Sequence, residues 1–102
     1  MISQKIKFHK NTTQIKTYIE YHDKVEILRK TYDINGNLLS LKYSNNEYHK
    51  WSYDKYDNVI SYEKDVGSWF KRKYNEHKLI TEIGGTKFMG KKIVLHKHNF
   101  NK

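Results

Sequence analysis

Two histidines, His96 and His98, stand two residues apart near the end of the chain, a spacing that in a strand turns both rings to one side. Such a pair offers two chemistries. Two imidazoles can ligate a metal, but no third ligand adjoins them, and Lys91, Lys92 and Lys97 repel a cation. Two imidazoles and a lysine can instead act as acid, base and oxyanion stabiliser in metal-independent RNA cleavage, and Lys92 completes that set. These residue types are common in a basic chain, so structural or nucleic-acid-contacting histidines are the simpler reading, as they are for His9, His22, His49 and His77. The carboxylates of Asp33, Asp54 and Asp57 fall in turn positions, where capping explains them. Nucleophilic-triad spacing is missing, as is a glycine-rich phosphate loop before a helix. The expectation is a protein without catalytic residues, metal or cofactor.

Charge is the stronger signal. The formal net charge is +9. Residues 20–82 balance, with 11 basic and 11 acidic side chains. Lys5, Lys7, Lys10 and Lys16 precede that span, and Lys87, Lys91, Lys92, Lys97 and Lys102 follow it, with no acid among them. Lysines on sheet edges and a solubility role explain part of this. They do not explain why acids vanish from both ends. Segregated positive charge is the footprint of a protein that meets a polyanion. An anionic membrane surface fits less well, because no segment reads as a basic amphipathic helix.

The elements that must carry these charges come from a repeat. Tyr32-Asp33, Tyr53-Asp54 and Tyr74-Asn75 recur every 21 residues. Ile27, Tyr48 and Trp69 align before them, and so do Arg29, Lys50 and Lys71. Leu38-Leu39-Ser40 and Val59-Ile60-Ser61 align after them, with Leu79-Ile80-Thr81 one residue early. At about 3.3 Å per residue this period holds two ordinary strands and their turns. Asn35-Gly36 predicts a type I′ hairpin turn with positive φ at both positions. In a regular meander, Arg29, Lys50 and Lys71 make a row with steps of about 10 Å. Tyr48 and Trp69 lie two residues away on the same face, as base stacking beside a backbone-tracking groove requires. Cross-strand aromatic packing accounts for the same pattern without a ligand.

Around the repeat, residues 2–10 alternate as a half-buried strand with Ile6 and Phe8 on one face. Asn11-Thr12-Thr13 and His22-Asp23-Lys24 read as turns around a second strand, residues 14–22. Gly84-Gly85 reads as a break after the repeat, Ile93-Val94-Leu95 as the last strand, and Gly90 as a bulge or bend. The fold class is therefore all-β: an antiparallel meander of about eight or nine strands, free to curl. The length of 102 residues implies one domain, with basic strands over 1–25, the repeat over 26–83 and a basic segment over 84–102. The lack of cysteine points to a reducing, cytoplasmic setting, and no apolar run is long enough to span a membrane.

Tyr32-Asp33-Ile34-Asn35-Gly36-Asn37 and Tyr53-Asp54-Lys55-Tyr56-Asp57-Asn58 resemble the YD (RHS-type) repeat family. Gly67-Ser68-Trp69 before Lys71 looks like the linker of short YD-like arrays in small bacterial and phage proteins. The likeness covers residues 26 to 83, and the third unit departs from it as Tyr74-Asn75. It implies β-hairpin construction rather than an activity. By size and resemblance, it also implies an accessory protein of a phage or mobile element, of the kind that inhibits a host nucleic-acid defence enzyme (anti-CRISPR type).

The leading expectation is a small non-enzymatic protein that binds nucleic acid, RNA favoured, or a protein–nucleic acid complex. The residues that would carry it are Lys5, Lys7, Lys10, Lys16, Arg29, Tyr48, Lys50, Trp69, Lys71, Lys87, Lys91, Lys92 and Lys97. Two alternatives stand beside it. One is a protein-interaction module, such as an immunity protein or a homo-oligomer joined at sheet edges. The other is the small ribonuclease built on His96, His98 and Lys92.

Overall fold

The computed structural model describes residues 1–100; Lys102, counted above with the C-terminal charge, lies outside the described residues. Nine strands follow in order: β1 (Ile2–Phe8), β2 (Ile15–His22), β3 (Val25–Tyr32), β4 (Leu38–Tyr43), β5 (Tyr48–Tyr53), β6 (Val59–Lys64), β7 (Gly67–Asn75), β8 (Lys78–Phe88) and β9 (Lys91–Asn99). They form one antiparallel meander in chain order, β1 to β9. Among the described residues there is no helix, and so none that could cross a membrane. The chain divides into two compact units, Met1–His49 and Lys50–Lys102. That division falls inside β5 and does not follow the three segments read from charge and repeat.

The repeat is visible in its turns. The Asp33 carboxylate accepts hydrogen bonds from the amides of Asn35 and Asn37, both at 2.9 Å, and from Asn37 Nδ2 at 3.1 Å. Asp54 accepts the same three, from the amides of Tyr56 and Asn58 and from Asn58 Nδ2, at 2.9, 3.0 and 3.1 Å. Burial pushes the Asp33 carboxyl up, but the bonds from Asn37 and Asn35 outweigh it and hold it below the usual range.

The turn type differs from the sequence reading. Gly36 N–H donates to Asp33 O, and only Gly36 of the Asn-Gly pair has positive φ, at 87°. This is the three-residue hairpin loop, a type I turn closed by one left-handed residue. Asp57 takes the left-handed place in the second unit, at φ 64°, which short polar side chains tolerate. That tolerance is why the second unit keeps the loop without glycine. The two-residue turns with positive φ at both positions lie elsewhere, at Asp23-Lys24 and Met89-Gly90. A Gly36→Val variant is expected to lose about 1 kcal/mol or more. Its Cβ is strained at that φ and meets the Gln14 side chain at 3.3 Å. A thermal melt superimposed on the wild type would refute this turn assignment.

Two sequence expectations are corrected, and that for Gly90 is narrowed. Strand β1 is exposed along its whole length rather than half-buried, because it is the first strand of the sheet and has one neighbour, β2. Gly90, read as a bulge or a bend, is a bend: it lies in the β8–β9 turn. Gly84-Gly85 does not end the repeat; it lies within β8 at a register shift against β9. A Cβ on Gly85 would overlap the Ile93 carbonyl, and one on Gly84 would meet the His96 ring at 2.6 Å. These glycines answer to close approach of β9, not to a turn.

Buried apolar side chains are few: Ile19 at 5% exposure in the first unit and Trp69 at 6% in the second. Each lies among long basic side chains. Ile19 pairs with Lys5 on one side and Arg29 on the other.

Candidate polyanion-binding face

Strand alternation sorts the charges of the second unit. Cross-strand partners share a face of a sheet, and the register sets Ser61 beside Lys71, Lys71 beside Ile83 and Ile83 beside Lys97. Glu63 adjoins Trp69, Trp69 adjoins Gly85, and Lys87 adjoins Lys92. Lys73 lies two residues beyond Lys71 along β7, and the Ser52–Ser61 hydroxyl pair brings Ser52 and then Lys50 to the same side. One face therefore carries Lys50, Lys71, Lys73, Lys87, Lys92 and Lys97, and Lys78 joins them through its pairing with Asn75. Among the described strand residues of this unit, Glu63 is its one carboxylate. The opposite face carries the aromatic ladder, with Trp51 against Tyr62 at 5.4 Å and Tyr62 against Phe70 at 5.6 Å between ring centres.

Trp69 anchors the basic face from beneath. Its indole N–H donates to the Thr86 carbonyl at 2.9 Å, and Lys92 Nζ stands 5.5 Å from the ring centre. Glu63 pins the lysines around it, to Lys92 at 2.9 Å and to Lys87 at 3.2 Å. The hydrogen bond from Lys92, with Lys87 beside it, holds the Glu63 carboxyl below its ordinary range. Lysine stems can cover apolar surface while the ammonium stays at the water boundary; the Lys87 side chain is only 11% exposed. A buried ring is not offered to a base, so Trp69 is a structural anchor rather than a stacking platform.

A cavity of about 250 Å³ opens on this unit, lined among others by Lys50, Ser52, Ser61, Glu63, Lys71 and Lys92. Three cations face one carboxylate there, with two hydroxyls between them. At about 30 Å³ per water it has room for roughly eight waters, more than a bare ion needs.

The remaining predicted residues lie as follows. In the first unit Lys5, Arg29 and Lys42 share a cross-strand row through Ile19, and Lys7 lies on the same face two residues from Lys5. Arg29 bonds Glu26 at 2.7 Å. Lys10 is in the β1–β2 turn, Lys16 is exposed on β2, and Tyr48 is half-buried at the head of β5. Lys91 pairs with Phe88 and so faces away from Lys92.

The ribonuclease set is not assembled. His96 pairs with Gly84 and His98 with Glu82, on the face opposite Lys87 and Lys92. His96 Nε2 is 3.1 Å from Glu82, which Arg72 also bonds at 2.8 Å. The Arg72 bond, then that of His96, keeps the Glu82 carboxyl low. Among the described residues no group of three His, Asp or Glu side chains is placed to hold a metal.

Sequence reasoning missed Ser52, Ser61 and Lys73. The repeat alignment already held Ser40 and Ser61 at one position; what it lacked was the cross-strand partner of each. No family model, curated protein or solved structure matches this chain.

Proposed function

We propose that this protein is a non-catalytic binder of a polyanion, either nucleic acid, with single-stranded RNA favoured, or a nucleoprotein. The observation that supports the reading is the sorting of seven lysines onto one face of the second unit against Glu63, the single carboxylate among its described strand residues. The first unit repeats the arrangement with Lys5, Lys7, Arg29 and Lys42 beside Glu26. Phosphates neutralised by such side chains release condensed counterions, which makes affinity fall with salt.

The test is fluorescence anisotropy with labelled single-stranded RNA, single-stranded DNA and duplex over a salt series. With about four contacts to a single strand, log K is expected to fall against log salt with a slope near −3, at roughly −0.7 per phosphate. Lys71→Glu with Lys97→Glu weakens binding to every sequence and flattens the slope. Lys91→Glu, on the opposite face, does so less. Absence of binding near about 50 mM salt, where such contacts are strong, overturns the free-nucleic-acid form. Capture from lysate with and without nuclease then separates a nucleoprotein from a protein partner. The narrower role that the repeat resemblance implies, an inhibitor of a defence enzyme, is the nucleoprotein case of this reading.

A second reading is favoured by one observation. Ile93, Val94 and Leu95 on the last strand are 42%, 52% and 69% exposed, as suits a strand awaiting a partner. Light scattering that finds a salt-independent dimer and anisotropy that finds no nucleic acid would together select a protein-interaction module.

A further inference from the structure

The cavity of the second unit has features that charge alone does not require. The Ser52 and Ser61 hydroxyls bond to each other across β5 and β6. A hydroxyl has one hydrogen and two lone pairs, so when one donates to the other, one O–H of the pair is left to donate outward. Lys50 and Lys71 flank that pair from β5 and β7, two strand spacings or about 10 Å apart. Lys92 reaches in from β9, and the oxygen it meets there is a carboxylate oxygen of Glu63 at 2.9 Å. An outward hydroxyl donor between ammonium groups matches the oxygens of a tetrahedral oxyanion, to which ionised hydrogen bonds are the strong ones.

We propose that this cavity seats one phosphate group, held by Lys50, Lys71 and the Ser52–Ser61 hydroxyls, and that Glu63 is the internal carboxylate it displaces from Lys92. This rests on the polyanion reading and names its anchoring site. Glu63 already holds the Lys87 and Lys92 ammonium groups, so a weak monoanion gains little from displacing it. A phosphate gains the hydroxyl and the other two lysines as well. The volume of about 250 Å³ leaves space for the sugar that carries the phosphate. The site therefore suits a phosphate within a strand better than the free ion.

The test uses the full chain with two probes, inorganic phosphate and a labelled 12-nucleotide single-stranded RNA. Amide NMR shifts locate binding, and anisotropy measures it. Lys71→Ala is compared with Lys73→Ala, which removes a charge from the same face but outside the cavity lining. Glu63→Gln removes the competing charge. The expected result is that Lys71→Ala weakens RNA binding clearly more than Lys73→Ala. Glu63→Gln strengthens it by up to about fivefold, the scale of a half-exposed ion pair. Inorganic phosphate shifts the amides of residues 50–52, 61–63 and 71, more weakly than RNA does.

Equal losses for Lys71→Ala and Lys73→Ala overturn the seat and leave the polyanion reading intact. No RNA binding by the wild type overturns the polyanion reading; the seat then stands only if phosphate shifts are confined to the cavity, and falls if they are absent or diffuse. If Glu63→Gln fails to fold, judged by its Trp emission, the lysine comparison decides alone.

Discussion

Replacing Trp69 with alanine is expected to cost about 3–5 kcal/mol, the usual loss for a buried Trp truncated to Ala. The indole is 6% exposed, its N–H bonds the Thr86 carbonyl, and Lys92 stands over its ring. Truncation leaves a void under the Lys87–Glu63–Lys92 cluster and removes the apolar surface those stems cover. Small domains are stable by only about 5–15 kcal/mol, so the variant is expected to be largely unfolded at moderate urea concentration. Trp69→Phe separates the contributions. It keeps most of the volume and loses the hydrogen bond, at about 1 kcal/mol. Urea denaturation followed by far-UV circular dichroism checks both. If Trp69→Ala melts with the wild type yet loses RNA affinity at an unchanged salt slope, the ring is a base-stacking platform after all.

What the sequence made legible was whatever repeats locally. The 21-residue period found the hairpins of the first two units because each of those loops is closed by its own carboxylate: Asp33 and Asp54 bind backbone two and four residues on, wherever the sheet lies. The all-β class and the strand order followed, since short loops leave neighbouring strands little choice but to pair. The loop geometry was less legible. Asn35-Gly36 suits a two-residue turn, and it is the Asp33 side chain, capturing the Asn37 amide, that favours the longer loop.

The candidate site was legible in composition and not in arrangement. Alternation read straight along β9 puts Lys92, His96 and His98 on one face. The shift between Gly85↔Val94 and Gly84↔His96 leaves Leu95 as an extra residue. A bulge of one residue reverses the facing of everything after it. That reversal sends both histidines to Glu82's side and brings Lys97 round beside Ile83, onto the lysine face. Nothing within β9 announces the bulge; its cause is in β8, at the two glycines.

Gly85 is accordingly where the second large effect is expected. A methyl group there is directed at the backbone of β9: it overlaps the Ile93 carbonyl oxygen and comes within 2.8 Å of the Leu95 nitrogen. Backbone cannot swing aside as a side-chain tip can, so the bulge must open. Gly85→Ala is expected to cost at least about 3 kcal/mol, at the top of the range for an overpacked site. Gly90→Ala supplies the contrast. It has a positive φ of 78° and nothing within 4 Å of its Cβ, so it should lose only about 1 kcal/mol, the strain of a left-handed residue. Hydrogen exchange adds a local readout: amides of β9 should lose protection in Gly85→Ala before those of β6 and β7. The functional consequence follows from the same geometry. If β9 lets go, Lys92 leaves Glu63 and Lys97 leaves the lysine face, and RNA affinity should fall together with β9 protection. A Gly85→Ala protein that keeps wild-type stability and full protection of β9 would refute the close approach, and with it the bulge that sorts the charges.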